Sequence, residues 1–100
     1  MKPVNKINKV MNNFNFKKVH AAMEAMQWEW WGEGVPTVKS LKQVALGLLN
    51  DAIDGLIDEN VPRYRTSTGG LSAYAYKEGE EIFCYLVFEV ASEHSDYEMF

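Results

Sequence analysis

Apolar residues recur along this chain with two different periods. Phe16, Val19, Met23 and Met26 return at helical spacing, with Lys17, Lys18 and Glu24 off the stripe, which predicts a helix over about residues 16–27. Asn15 stands where an N-cap oxygen is wanted. A second helix starts after Thr37, another N-cap residue, which follows Pro36. Its first apolar row is Val38, Leu41, Ala45, Leu48 and Ala52. Val44, Leu49, Ile53, Leu56 and Ile57 widen the face. A face that wide predicts a helix lying across a sheet, with its flank covered by the first helix. Pro62 places the stop near Asn60. Gly47 and Gly55 each cost about 1 kcal/mol relative to alanine in a helix interior. Gly47, flanked by the apolar rows, predicts close backbone packing.

Beyond residue 70 the period changes to two. Leu71, Ala73 and Ala75 alternate with Ser72, Tyr74 and Tyr76. Ile82, Cys84, Leu86 and Phe88 alternate with Phe83, Tyr85 and Val87. This predicts a β-hairpin turning at Lys77–Glu80, with Gly79 supplying positive φ. With Glu78-Gly79 as the tip, Ala75 faces Ile82, Ala73 faces Cys84 and Leu71 faces Leu86, all on the face beneath the helices. Cys84 is then a buried, inert thiol. The other face carries Tyr74, Tyr76, Phe83, Tyr85 and Val87, a ring-lined surface turned away from the helices. Residues 63–70, R-Y-R-T-S-T-G-G, read as a loop. Trp28-Glu29-Trp30-Trp31 reads as a short strand ended by Gly32 and Gly34. All three tryptophans fall in it, and two readings stay open: a lid on a small core, or an anchor for a partner. The fold class is α+β, two helices packed on one face of a small antiparallel sheet, built from the C-terminal hairpin and, on one reading, a short tryptophan-bearing strand. Residues 1–12 read as a flexible basic arm, 13–91 as a single α+β domain and 92–100 as an acidic tail.

Charge divides the chain. Lys2, Lys6, Lys9, Lys17 and Lys18 lie in residues 1–18 with no acid among them, so the remainder holds five of the ten basic residues against all 14 acids, a net of −9. Such a body repels phosphates, and no basic residues are interleaved with the aromatic ones of the hairpin, so nucleic acid is not the expected partner. No apolar run approaches the roughly 18 residues of a membrane span. The leading lysines are followed by no apolar core of a secretory signal, and the one cysteine forms no disulfide framework. The expected setting is a reducing cytoplasm.

Candidate chemistry is sparse. His20 reads as a half-buried structural residue and His94 as an exposed one. No His/Cys spacing suggests a metal site, and no serine or cysteine is placed beside a base. No cofactor is expected. Two candidate surfaces remain. Asp51, Asp54, Asp58 and Glu59 lie towards the C-terminal end of the second helix, where the dipole disfavours acids, which hints at an acidic patch kept for something other than stability. Arg63 and Arg65, followed by Thr66, Ser67, Thr68, Gly69 and Gly70, have the donors to cradle an anion, although the segment precedes a strand and lacks P-loop spacing.

Taken together, W-E-W-W-G-E-G-V-P-T, L-K-Q-V-A-L-G-L-L-N-D-A and S-T-G-G-L-S-A resemble segments of short phage- and prophage-encoded proteins of unknown function, over about residues 14–91. The resemblance assigns no catalytic residue. It implies a small phage accessory protein of an infected or lysogenic bacterial host, of the kind that binds and blocks a host factor, bacterial defence systems among them. The expected function is a non-enzymatic inhibitor of a host protein, anti-defence or anti-CRISPR-like. It would bind through Asp51, Asp54, Asp58 and Glu59 and through Trp30, Trp31, Tyr74, Tyr76 and Tyr85. One alternative is an oligomeric nucleotide or small-molecule binder using Arg63–Gly70. Another is a purely structural oligomerisation domain, with a homodimer first among candidates.

Overall fold

A computed structural model describes residues 3–89. The fold is α+β, in the order α1 (Val4–Asn13), α2 (Phe16–Ala25), α3 (Val38–Asp58), β1 (Arg63–Thr68), β2 (Leu71–Glu78) and β3 (Glu81–Phe88). The strands form one antiparallel sheet in the order β1-β2-β3. Leu41, Ala45, Leu48, Leu49, Ala52, Ile53 and Leu56 of α3 form the core with Leu71, Ala73, Ala75, Leu86 and Phe88 of the sheet. Phe16, Val19 and Met23 of α2 close it from the side. The small side chains at Ala73 and Ala75 leave room on the sheet for the leucines of α3.

Both expected caps form. The Asn15 side chain accepts a hydrogen bond from Lys18 N at 3.0 Å, and Thr37 Oγ1 accepts one from Ser40 N at 3.1 Å. Both α2 and α3 end in Schellman motifs without glycine. After α2, Gln27 adopts φ 51°, its N–H reaches Glu24 O at 3.2 Å, and Trp28 N reaches Met23 O at 2.8 Å. After α3, Asn60 adopts φ 51°, with Asn60 N to Ile57 O at 3.2 Å and Val61 N to Leu56 O at 3.3 Å. Each motif pairs an apolar residue just beyond the helix with one in its last turns, Trp28 with Met23 and Val61 with Leu56.

The sequence reading needs several corrections. Residues 4–13, read as part of a flexible arm, form α1. Ile7 is only 4% exposed in the core cluster, because its apolar stripe with Val10 packs beside α3 and β3. Residues 63–68, read as loop, form the third strand, and Gly69-Gly70 is a two-residue hairpin turn with φ 57° and 89°. The tryptophan segment is not a strand: residues 26–37 contain no regular element. The β2–β3 register differs by two residues, pairing Ala75 with Cys84, Ala73 with Leu86 and Leu71 with Phe88, because the tip is Gly79-Glu80. A two-residue shift preserves side-chain parity, so the faces are as expected. Finally, the glycine that packs closely is Gly55. A Cβ there would lie 2.3 Å from the Tyr64 ring, whereas one on Gly47 would meet nothing within 4 Å. Ile57, counted in the apolar face, is 40% exposed. The tail 92–100, with His94, lies outside the described residues.

Ile7→Ala should lower stability by about 2 kcal/mol, towards the small end of core truncations because α1 lies at the periphery. Urea denaturation measures it, and an unchanged midpoint would mean that α1 does not belong to the cooperative unit.

Candidate functional site

The sheet has two unlike faces. One lies under α3; the other carries rings. On the open face Tyr74 and Tyr85 stack with centroids 4.9 Å apart and planes 8° apart, and Tyr76 and Phe83 stack at 5.4 Å and 22°. Tyr76 meets Tyr85 edge-on at 6.1 Å. The register dictates these pairs, since Tyr74 lies opposite Tyr85 and Tyr76 opposite Phe83. All four rings are half-buried. Strand alternation in β1 adds Arg63 and Arg65, which lie opposite Tyr76 and Tyr74.

Charge pairs stand at two corners of this face. The Arg65 guanidinium lies 5.6 Å from the Tyr74 ring centroid and donates to Tyr74 Oη at 3.0 Å and to Glu89 Oε2 at 3.0 Å. Tyr74 in turn donates to Glu89 Oε1. Arg65 also reaches Ser72 Oγ at 3.3 Å. Ser72 and Val87 pair across β2 and β3 and are both buried, so this end of the face, expected as part of the ring-lined surface, is closed. At the opposite corner Lys6 of α1 sits 3.8 Å above the Phe83 ring and bonds Glu81 at 2.9 Å. The hydrogen bond to Glu89, together with burial, pushes the Tyr74 phenol up, and Arg65 opposes part of that shift. An open depression of about 450 Å³ lies over this region, lined by Arg63, Arg65, Tyr74, Tyr76 and Tyr85 among others.

The face therefore carries cations that the sequence reading did not see. Arg63 and Arg65 came from a segment taken as loop, and Lys6 from one taken as a frayed arm. The rings are nevertheless stacked on one another, so much of their π-surface is already occupied. A base-stacking platform needs that surface open.

The acidic residues lie elsewhere. At about 100° per residue, Asp54 falls opposite the buried rows of α3, with Asp51 and Asp58 close by. Their outward face is on the far side of the molecule from the rings. Asp51, Asp58 and Glu59 are exposed and Asp54 is half-exposed. Glu59, by a hydrogen bond and by its charge, pushes the Tyr64 phenol up, with Asp51 adding to the effect. Asp51 and Glu59 thus flank the helix side of β1.

The residues of the expected anion cradle do not converge. As a strand, β1 turns Arg63, Arg65 and Ser67 to the open face and Tyr64, Thr66 and Thr68 to the other. The Gly69 carbonyl is occupied as well: Trp28 Nε1 donates to it at 3.0 Å and Trp30 Nε1 at 2.9 Å. The tryptophans answer both open readings. Trp30 is core, at 6% exposure, while Trp31 stands 71% exposed. Trp28 is half-buried, edge-on to Phe88 at 6.2 Å. Trp31 and Gly32, with φ 51° and 73°, are the central residues of a turn closed by Glu33 N to Trp30 O at 2.9 Å. A bulky residue in that left-handed conformation costs on the order of 1 kcal/mol.

Cys84 is half-buried rather than buried. It lies in the wall of a groove between α1 and β3, where burial pushes the thiol up and Lys6 pulls it down. His20 is half-buried as expected, with Nδ1 3.3 Å from Glu24 Oε1. Among the described residues no cluster of His, Cys, Asp and Glu is placed to hold a metal, and no helix is long and apolar enough to cross a membrane. Comparison with protein-family models, with curated proteins and with solved structures finds no match to this chain.

Gly69→Ala should destabilise the fold by about 2 kcal/mol, because φ is positive there and a Cβ would lie 2.1 Å from Trp30 Nε1; thermal melting measures the loss. A second prediction concerns pH. The folded state raises the Tyr64 and Tyr74 phenols above 10.0, so their contribution is complete below that value and is lost as pH climbs through the raised values. Tyr74→Phe should flatten the alkaline decline in stability, read by denaturation across that range. An identical decline in the variant would contradict the hydrogen-bonded phenol.

Proposed function

We propose that this chain is a non-enzymatic protein-binding module that inhibits a host protein by covering it with the aromatic face of its sheet. The observation that carries the reading is the ladder Tyr74–Tyr85 and Tyr76–Phe83, held on the side of the sheet away from α3, with α1 reaching only its Phe83 edge through Lys6. Tyrosine and arginine dominate the residues that contribute most at protein interfaces. Here the rings are already ordered by mutual stacking, so binding freezes few rotamers. The corner charges Arg65 and Lys6 already have partners in Glu89 and Glu81. Burying the centre therefore leaves these two ions paired, while Arg63, exposed opposite Tyr76, is a cation the partner must meet.

The acidic helix surface plays no direct part in this contact. Asp54 points away from the sheet, and a single flat partner surface cannot meet both sides of the domain. We assign Asp51, Asp54, Asp58 and Glu59 a long-range role: they set the net charge of the far side and influence the rate of approach rather than the contact. The setting follows the phage-protein resemblance, that of an accessory protein acting in the cytoplasm of an infected or lysogenic bacterium on a host factor such as a defence protein.

Affinity capture from bacterial lysate with mass spectrometry, using wild type and two variants in parallel, tests the assignment. The double variant Tyr76→Ala/Tyr85→Ala should lose the captured partner by roughly tenfold or more, while Asp54→Lys/Asp58→Lys should retain it at equilibrium. The reverse pattern would move the site to α3. A dimer that dissolves on Tyr76→Ala/Tyr85→Ala, with no other protein captured, would make a second copy the partner of the face.

A further inference from the structure

The exposed tryptophan and the groove beside α1 are complementary in shape and charge. Trp31 occupies the first central position of a tight turn with positive φ at both central residues. Such turns favour Asn-Gly or Gly-Gly, so local folding does not call for an indole there. Its ring contact is edge-to-face with Trp30, at 5.4 Å and 60°. Trp30 is itself held by the Gly69 carbonyl, so the exposed ring is presented from a rigid base. Glu29 and Glu33 flank it in the chain, and both are exposed.

The groove lies between α1 and β3. Val10, Phe14, Cys84 and Leu86 contribute an apolar floor, Phe83 and Tyr85 from the edge of the aromatic face line it as well, and Lys6 and Lys9 stand at its rim. Its volume is about 360 Å³, at the small end for ligand sites, room for one bicyclic ring. Lys9 is exposed and has no ion-pair partner among the described residues.

We propose that Trp31 of one molecule inserts into the α1–β3 groove of a second copy, with Glu29 and Glu33 meeting Lys9 and Lys6. An apolar knob with an acidic collar fits an apolar groove with a basic rim. The same collar would be repelled by the acidic outer face of α3, which fixes the docking partner on the α1 side. Knob and groove are different patches, so they meet either twice across a two-fold axis, as a reciprocal isologous dimer, or head to tail, as a heterologous ring or filament. Phe83 and Tyr85, at the β3 edge of the aromatic face, also line the groove, so a second copy seated there shares that edge with any partner of the face.

Sedimentation velocity of the full chain over micromolar to millimolar concentrations tests this, with the labelling rate of the Cys84 thiol as a second readout from inside the groove. The expected results are an average mass that rises with concentration and falls with added salt, and thiol labelling that slows as the mass rises. Trp31→Asn suits the turn and should keep the melting temperature at or above that of wild type, while weakening association roughly thirtyfold or more, the mark of an anchor residue. Lys9→Glu should also weaken it, and Lys9→Glu combined with Glu33→Lys should restore it. Arg63→Ala, on the aromatic face but outside the groove lining, should leave it unchanged. A chain that stays monomeric throughout, or an oligomer indifferent to Trp31→Asn, would overturn the proposal. So would an oligomer abolished by Arg63→Ala, which would assign the interface to the β1 side of the sheet face instead.

Discussion

One carbonyl oxygen, that of Gly69, receives the N–H groups of two indoles, and the path of the chain depends on it. Between α2 and α3 twelve residues run without a regular element. Nothing in their backbone would hold them to the sheet. Trp28 and Trp30 do so from the side, by anchoring on the tip of the β1–β2 hairpin at 3.0 and 2.9 Å. The constraint acts in both directions. The hairpin tip must consist of glycine, because a Cβ on Gly69 would overlap the Trp30 indole and one on Gly70 would crowd Trp28 and Phe88. In turn the linker must present its indoles inward, which the Schellman motif after α2 begins by directing Trp28 back over Met23. Once Trp28 and Trp30 are committed, the next residue has no inward position left. Trp31 is therefore exposed.

The second determinant is the sidedness of a three-stranded sheet with one layer of helices. Strand alternation sends Leu71, Ala73, Ala75, Leu86 and Phe88 under α3 and every tyrosine of the hairpin to the other side. Three helices and a strap do not cover both faces, so the rings cover themselves by stacking. Charged residues complete the arrangement at the edges. Arg65 and Glu89 bracket Tyr74 at one end, and Lys6 and Glu81 bracket Phe83 at the other. The outer acids of α3 lie one helix and one sheet away. This separation puts the rings and the acids on opposite sides of the domain.

Much of this was legible in the sequence. The amphipathic stripes of α2 and α3, the caps Asn15 and Thr37, the hairpin and the parity of its faces all follow from local rules: helical period, strand period and the hydrogen-bonding capacity of short polar side chains. A wrong register by two residues left every side chain on its correct face, because parity is conserved under that shift. T-S-T-G-G was readable too. Gly-Gly between two alternating runs is a two-residue hairpin signal, and it was outweighed by the polar composition of β1. By contrast α1, with its four asparagines and no side-chain cap, carries little helical signal. It is a helix because Ile7 and Val10 find α3 and β3 to pack against.

By itself, then, the sequence determined the fold class, the two long helices and which residues of the hairpin point to the same side, since each of these is settled by neighbours within a few positions. It could not determine where Lys6, Arg63 and Arg65 end up relative to the rings, or that the acids of α3 and the tyrosines of the sheet face apart. Nor could it show that residues 28 and 30 are bonded to residue 69. Those are contacts between segments distant in the chain. They exist only once the hydrophobic core has set the layers, because periodicity says which face of an element is buried but not which distant element buries it.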